Sequence, residues 1–210
     1  MNHLVLLGDS IFDNAAYVGG GPDVIAQLRE RLPHGWNATL KAIDGSVVRD
    51  VPAQMRHLPP DATHLVISAG GNDALWQAGI LTESARSVAE VLNRLAGIGE
   101  QFEREYRQML QAVQRRGLPV ALCTIYYPRF PDPGLQRIAV TALTVFNDCI
   151  IRAAIMAGMP LLDLRLICTE ASDYANEIEP GVPGGAKIAG TICDVIQHHN
   201  FESGRTVVYC

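Results

Sequence analysis

Short aliphatic runs alternate along the chain with longer stretches in which apolar positions recur every three or four residues. That alternation predicts a parallel sheet covered by helices on both faces. The expected strands are residues 3–7 (HLVLL), 38–43 (ATLKAI), 64–69 (HLVISA), 119–125 (PVALCTI) and 160–164 (PLLDL). Helices are expected over 22–32, 49–56, 84–116, 135–157 and 184–197. The longest is read as interrupted at GIGE (97–100), with Val88, Val91, Leu92 and Leu95 before the break and Phe102, Tyr106, Met109, Leu110 and Val113 after it forming a buried stripe. In RRGLPVALCTI and MAGMPLLDL a glycine stands near a helix end and a proline just before the next strand, a stop followed by a restart. The five strands suffice for a three-layer α/β/α domain. The tail HHNFESGRTVVYC leaves room for an edge strand.

Length and composition narrow this picture. At 210 residues, with no composition shift, repeat or low-complexity tract, the chain is expected to be a single domain spanning 1–210. The apolar fraction is 48%, the charged fraction is 19%, and no uninterrupted apolar run nears the roughly 20 residues of a membrane span, so a soluble protein is expected. MNHLVLLGDS carries no basic leader and no small-residue cleavage site, which points to the cytoplasm. A net charge of −5 argues against nucleic acid and anionic membranes as partners. Neutral or weakly charged small molecules remain open as partners, and so does the oligomeric state. The cysteines, at 123, 149, 168, 193 and 210, show no C-x-x-C spacing and no Cys/His cluster. Reduced thiols are expected, with no metal and no cofactor.

In open parallel sheets ligands bind beyond the carboxyl ends of the strands, so the residues that follow each strand come first for chemistry. After the first strand, GDSIFDN puts Ser10 where its hydroxyl can enter the crevice, although Asp9 or Ser10 could equally cap the next turn. After the second, DGSVVRD offers the Gly45 N–H, or simply a turn glycine. After the third, AGGNDALW combines close backbone approach at Gly70 and Gly71 with the Asn72 amide, unless Asn72 or Asp73 caps a helix. Together a hydroxyl, backbone N–H groups and a side-chain amide make a nucleophile with oxyanion donors. A tetrahedral intermediate of acyl transfer needs such donors fixed in advance.

These residues, in this order, resemble the SGNH subgroup of the GDSL hydrolases, a family of esterases and lipases with a flavodoxin-like fold. LVLLGDSIFDN is similar to the block with the nucleophilic serine, Gly45 to the glycine of the second block, and GGND to the Gly-x-Asn-Asp of the third. The resemblance implies that Ser10 attacks and that the Ser10 and Gly45 amides and Asn72 bind the oxyanion. The family's last block reads Asp-x-x-His-Pro, then a glycine and a helix, with histidine as the base and aspartate orienting it. The matching frame here is NEIEPGVPGGAKIA, which sets Glu179 in the place of the histidine and Asn176 in the place of the aspartate.

The histidines at 3, 34, 57, 64, 198 and 199 do not fit that frame; His57 would serve only if its loop folded over the site. Glu179 could take the Ser10 proton itself if burial raised its pKa from about 4.3. Alternatively it braces the loop before the last helix, and the chain is a catalytically impaired module that holds a carboxylate or acetylated ligand. The resemblance implies a small-molecule ester or carboxylate ligand as partner, with Asp9, Gly71, Asp73, Trp76, Tyr126 and Tyr127 as candidate substrate contacts. Tyr126 and Tyr127, with Arg129 and Phe130, belong to the aromatic loop IYYPRFPDPG after the fourth strand, which could instead merely cover the core.

Overall fold

The computed structural model describes residues 1–210, folded as one parallel sheet between two helical layers. The strands are β1 (Asn2–Gly8), β2 (Trp36–Leu40), β3 (His64–Ser68), β4 (Val120–Cys123), β5 (Leu161–Leu162) and β6 (Val208–Tyr209), in the order β2-β1-β3-β4-β5-β6. All pairs are parallel, with Leu4 opposite Ala38 on one side and Val5 opposite Leu65 on the other. The tail thus supplies a sixth strand at the edge, one more than expected, because Val208 and Tyr209 pair with Leu161 and Leu162.

The helices are α1 (Val24–Arg31), α2 (Val51–Gln54), α3 (Gly71–Trp76), α4 (Val88–Gln114), α5 (Pro133–Ala157), α6 (Leu164–Ile167) and α7 (Val182–His198). Tight 3₁₀ turns at Val48–Asp50 and Met55–His57 flank α2. The two-residue period of β1 decides which helices cover which face. Leu4 and Leu6 point toward α1 and α7, whereas Val5 and Leu7 point toward α2, α4 and α5. All four are fully buried, each contributing about 1.5–3 kcal/mol relative to exposure.

Two expectations for the longest helix are corrected. GIGE does not interrupt α4, which runs unbroken for 27 residues. Gly99 is there for space: a Cβ on it would fall 2.6 Å from Val145 Cγ1 of α5. Nor is the stripe buried along its whole length, since Val88 and Leu92 are 76% and 60% exposed whereas Phe102, Tyr106, Met109, Leu110 and Val113 are buried. The first turns of α4 and α5 therefore extend past the packed core, on the side where β3 and β4 end. By length and composition α5 could cross a membrane, a property that no uninterrupted apolar run in the sequence discloses. Its second half packs into the core through Phe146, Cys149, Ile150 and Ala154.

Chain order sets the crevice. From β1 the chain passes to β2 on one side, and β3 then lies on the other, so the sheet reverses direction of winding at β1. Ligand sites of open sheets form outside the carboxyl ends at such a reversal.

Candidate active site

Gly8 ends β1 with φ 120°, and a Cβ there would lie 1.6 Å from the Ser68 carbonyl oxygen. Only glycine lets the chain turn this close to β3. Gln54 of α2 locks the turn: its Oε1 accepts the Gly8 N–H and its Nε2 donates to the Gly8 carbonyl, each at 2.8 Å. The turn delivers Asp9 and Ser10, both buried, to the mouth of the crevice.

The Ser10 hydroxyl donates to Glu179 Oε1 at 3.1 Å. Glu179 is 6% exposed, and its Oε2 is buried without a hydrogen-bond partner. Burial, only partly offset by the Ser10 bond, pushes its carboxyl up to about 7. It stands on a tightly pinned loop before α7. Tyr174 and Pro180 form an antiparallel bridge, the Ala175 N–H donates to the Glu179 carbonyl, and Asn176 Oδ1 accepts the N–H groups of Ile178 and Glu179. Bracing the loop is therefore the work of Asn176, which bonds the backbone of Glu179 and does not orient its carboxylate.

Asn14 adds a pin that the sequence reading passed over. Fully buried, it donates from Nδ2 to the Pro180 carbonyl and accepts the Val24 N–H, each at 2.9 Å, tying the Ser10 turn, α1 and the Glu179 loop together. Gly184 lets α7 approach from behind, because a Cβ there would lie 2.1 Å from the Asp173 carbonyl oxygen.

On the other side of Ser10, Asn72 in the first turn of α3 donates from Nδ2 to the Ser46 carbonyl at 2.9 Å, leaving its second amide hydrogen free. The Gly45 turn is thereby tied to α3. Gly45 has φ 77°, and neither its N–H nor that of Ser10 has an acceptor within the chain. The Ser10 N–H is a free donor of the kind an oxyanion needs, whereas Gly45 is exposed and is not among the residues that line the cavity.

A cavity of about 320 Å³ opens from Ser10 and Glu179 and is also lined by Asp9, Gly71, Asn72 and Tyr126. Asp9 accepts the Ile11 N–H, and burial pushes its carboxyl up to about 8. The Tyr126 hydroxyl is committed to the Ile178 carbonyl, so it contributes a ring to the wall and holds the Glu179 loop.

The remaining candidates fall elsewhere. Asp73 accepts the Val48 N–H at 3.0 Å and, with its carboxyl pushed up by burial to about 6, faces a separate groove. Trp76 is 62% exposed in that same groove, under the Arg49 guanidinium, because α3 turns its ring away from the cavity. Tyr127 gives its carbonyl to the Tyr174 hydroxyl and lies outside the cavity, since alternate residues of this extended loop, Tyr126 and Pro128, face in. Arg129 packs on the Tyr174 ring. His57 ends the 3₁₀ turn after α2 and is not among the cavity residues.

Comparison with known proteins gives the same outline. The model of the GDSL-like lipase/acylhydrolase family matches residues 6–182. An extracellular lipase of Streptomyces rimosus superimposes with a TM-score of 0.68 at 18% identity, over 95% of this chain and 100% of that one. A member of the lipolytic G-D-S-L family from Veillonella parvula gives 0.68 at 15% identity, over 95% and 100% of the two chains. An acetyl xylan esterase gives 0.67 at 18% identity, over 92% and 99%. At these identities the likeness is one of fold. No curated protein matches by sequence.

Proposed function

The chain belongs to the GDSL-like lipase/acylhydrolase family, and from that premise we propose that it hydrolyses carboxylic esters with Ser10 as nucleophile and Glu179 as general base. The observation that carries this reading is the 3.1 Å bond from the Ser10 hydroxyl to a buried carboxylate oxygen. A carboxyl at its ordinary pKa is too weak a base for a hydroxyl, whereas one pushed up to about 7 is matched to work near neutrality. The same contact favours a hydrolase over a module that merely holds a ligand.

In the first half-reaction the Ser10 Oγ–C bond forms as the hydroxyl proton moves to Glu179. The oxyanion so created accepts from the Ser10 N–H group and the free hydrogen of the Asn72 amide. Breaking the C–O bond releases the alcohol, which takes the proton back from Glu179. In the second half, water attacks the acyl-Ser10 ester and passes its proton to Glu179, which returns it to Ser10 Oγ as the acid leaves. No third residue orients Glu179; the backbone bonds of its loop do so instead.

Turnover of a short aryl ester such as phenyl acetate tests the proposal, with Ser10→Ala as the control. The wild type should hydrolyse it, and Ser10→Ala should lose at least about 10³-fold in kcat/KM. Equal rates for the two proteins would overturn it.

A further inference from the structure

The cavity that opens from Ser10 carries charge at one end only. Asp9 and Glu179 are its sole charged lining residues, and both sit beside the nucleophile. Away from them the walls are mostly hydrocarbon, with Gln77 and Thr82 of the roof as the polar exceptions. On α5, Leu135, Ala139, Ala142, Leu143 and Phe146 share one helical face, and Leu95 and Ile98 of α4 stand opposite. A tight turn at Ala78–Thr82 roofs the space with Ile80 and Leu81, and Arg94 of α4 holds the following segment through Glu83 at 2.7 Å.

We infer that this chamber, between the N-terminal halves of α4 and α5, binds the acyl group of the ester and selects an uncharged, linear hydrocarbon chain of medium length. The inference rests on the hydrolase reading for its catalytic consequence, but the chamber is a binding site in its own right. A charged acyl group would lose its hydration there with no oppositely charged partner in the walls. The acyl side is favoured over the alcohol side because the acyl group remains on Ser10 through both half-reactions. The alcohol must leave, and the opposite flank of Ser10 is polar and open, with Asp13 and Asp44 joined through the Asp44 N–H and Tyr17 bonded to Asp44. Small side chains at Ala139 and Ala142 keep the chamber wide and so set the chain length it admits.

Phenyl esters of acetic, butanoic and octanoic acids should show kcat/KM rising with chain length, by about fourfold per methylene while the walls still enclose it. Ala142→Phe narrows the chamber and should lower the octanoyl-to-acetyl ratio by about tenfold, and Leu143→Ala should shift the optimum to longer chains. A merely damaged fold would lower all rates together and leave the ratio unchanged. Wild-type ratios in both variants, or a chain-length preference expressed by octyl acetate and not by methyl octanoate, would overturn the inference. Calorimetric binding of methyl octanoate against methyl acetate to Ser10→Ala separates the two readings. Tighter binding of the octanoate, with no turnover by the wild type, would retain the chamber and reject the hydrolase; turnover without chain preference would do the reverse.

Discussion

Ser10 and Glu179 lie 169 positions apart in sequence and meet through a 3.1 Å hydrogen bond at the carboxyl end of the sheet. The bond joins the end of β1 to the loop before α7, and everything around it keeps both partners still. Gln54 fixes the turn before Ser10, and Asn176, Asn14 and Tyr126 fix the loop around Glu179.

The pH dependence follows from the state Glu179 must be in. A general base works ionised, so kcat/KM should rise as pH passes through about 7 and level off above it. Initial rates on phenyl acetate between pH 5 and pH 9 check this. A profile already flat from pH 5 would mean that another group accepts the proton.

Stability should run the other way. Glu179 and Asp9 are raised by burial to about 7 and about 8 from ordinary values of 4.5 and 3.8, so the folded chain keeps protons that the unfolded chain has released. Folding stability contributed by these groups is present in full below pH 4 and falls as pH rises toward 8. Glu179→Gln removes one of the two, and its Tm relative to wild type should climb between pH 5 and pH 8 by roughly 2–4 °C. Thermal melts at the two pH values measure it. A variant that gains stability while losing turnover is the expected mark of a strained site.

Asn72→Ala removes a side-chain donor while leaving Ser10 and Glu179 in place. It should reduce kcat by about 10²–10³-fold with a smaller effect on KM. Because Asn72 also holds the Ser46 carbonyl, a melt must accompany the kinetics. A rise in KM with kcat intact would assign Asn72 to ground-state binding.

Gly184→Ala tests the platform beneath Glu179. The added methyl would meet the Asp173 carbonyl oxygen at 2.1 Å, so α7 and the loop must separate. The expected cost is about 1–3 kcal/mol in stability, together with a loss of turnover larger than any loss of Ser10 accessibility to small probes. Denaturant titration alongside ester kinetics distinguishes the two effects.

The layer architecture and the polar residues after β1 and β3 were legible in the sequence because strand period and turn glycines are local signals. The tail was legible only as room for an edge strand, since Val208 and Tyr209 become β6 only by pairing with β5. GIGE looks like a helix stop because of Gly97 and Gly99, yet Gly99 makes room for Val145 of α5 and nothing lies within 4 Å of a Cβ at Gly97. For the same reason Trp76 and Tyr127 read as candidate substrate contacts yet lie outside the cavity: sequence places them near the site but does not say which way one turn of helix or one step of extended chain points them. The loop frame identified Glu179. Its contact with Ser10 depends on Asn14, whose two bonds reach 166 and 10 residues away and leave no local pattern.

The claim that Glu179 activates Ser10 is met most directly by the rate at which a fluorophosphonate labels Ser10, followed against pH in the wild type and in Glu179→Gln. The account predicts labelling that rises with an apparent pKa near 7 in the wild type and is slow and independent of pH across that range in the variant. Labelling of Glu179→Gln at the wild-type rate, with the same pH profile, would contradict it.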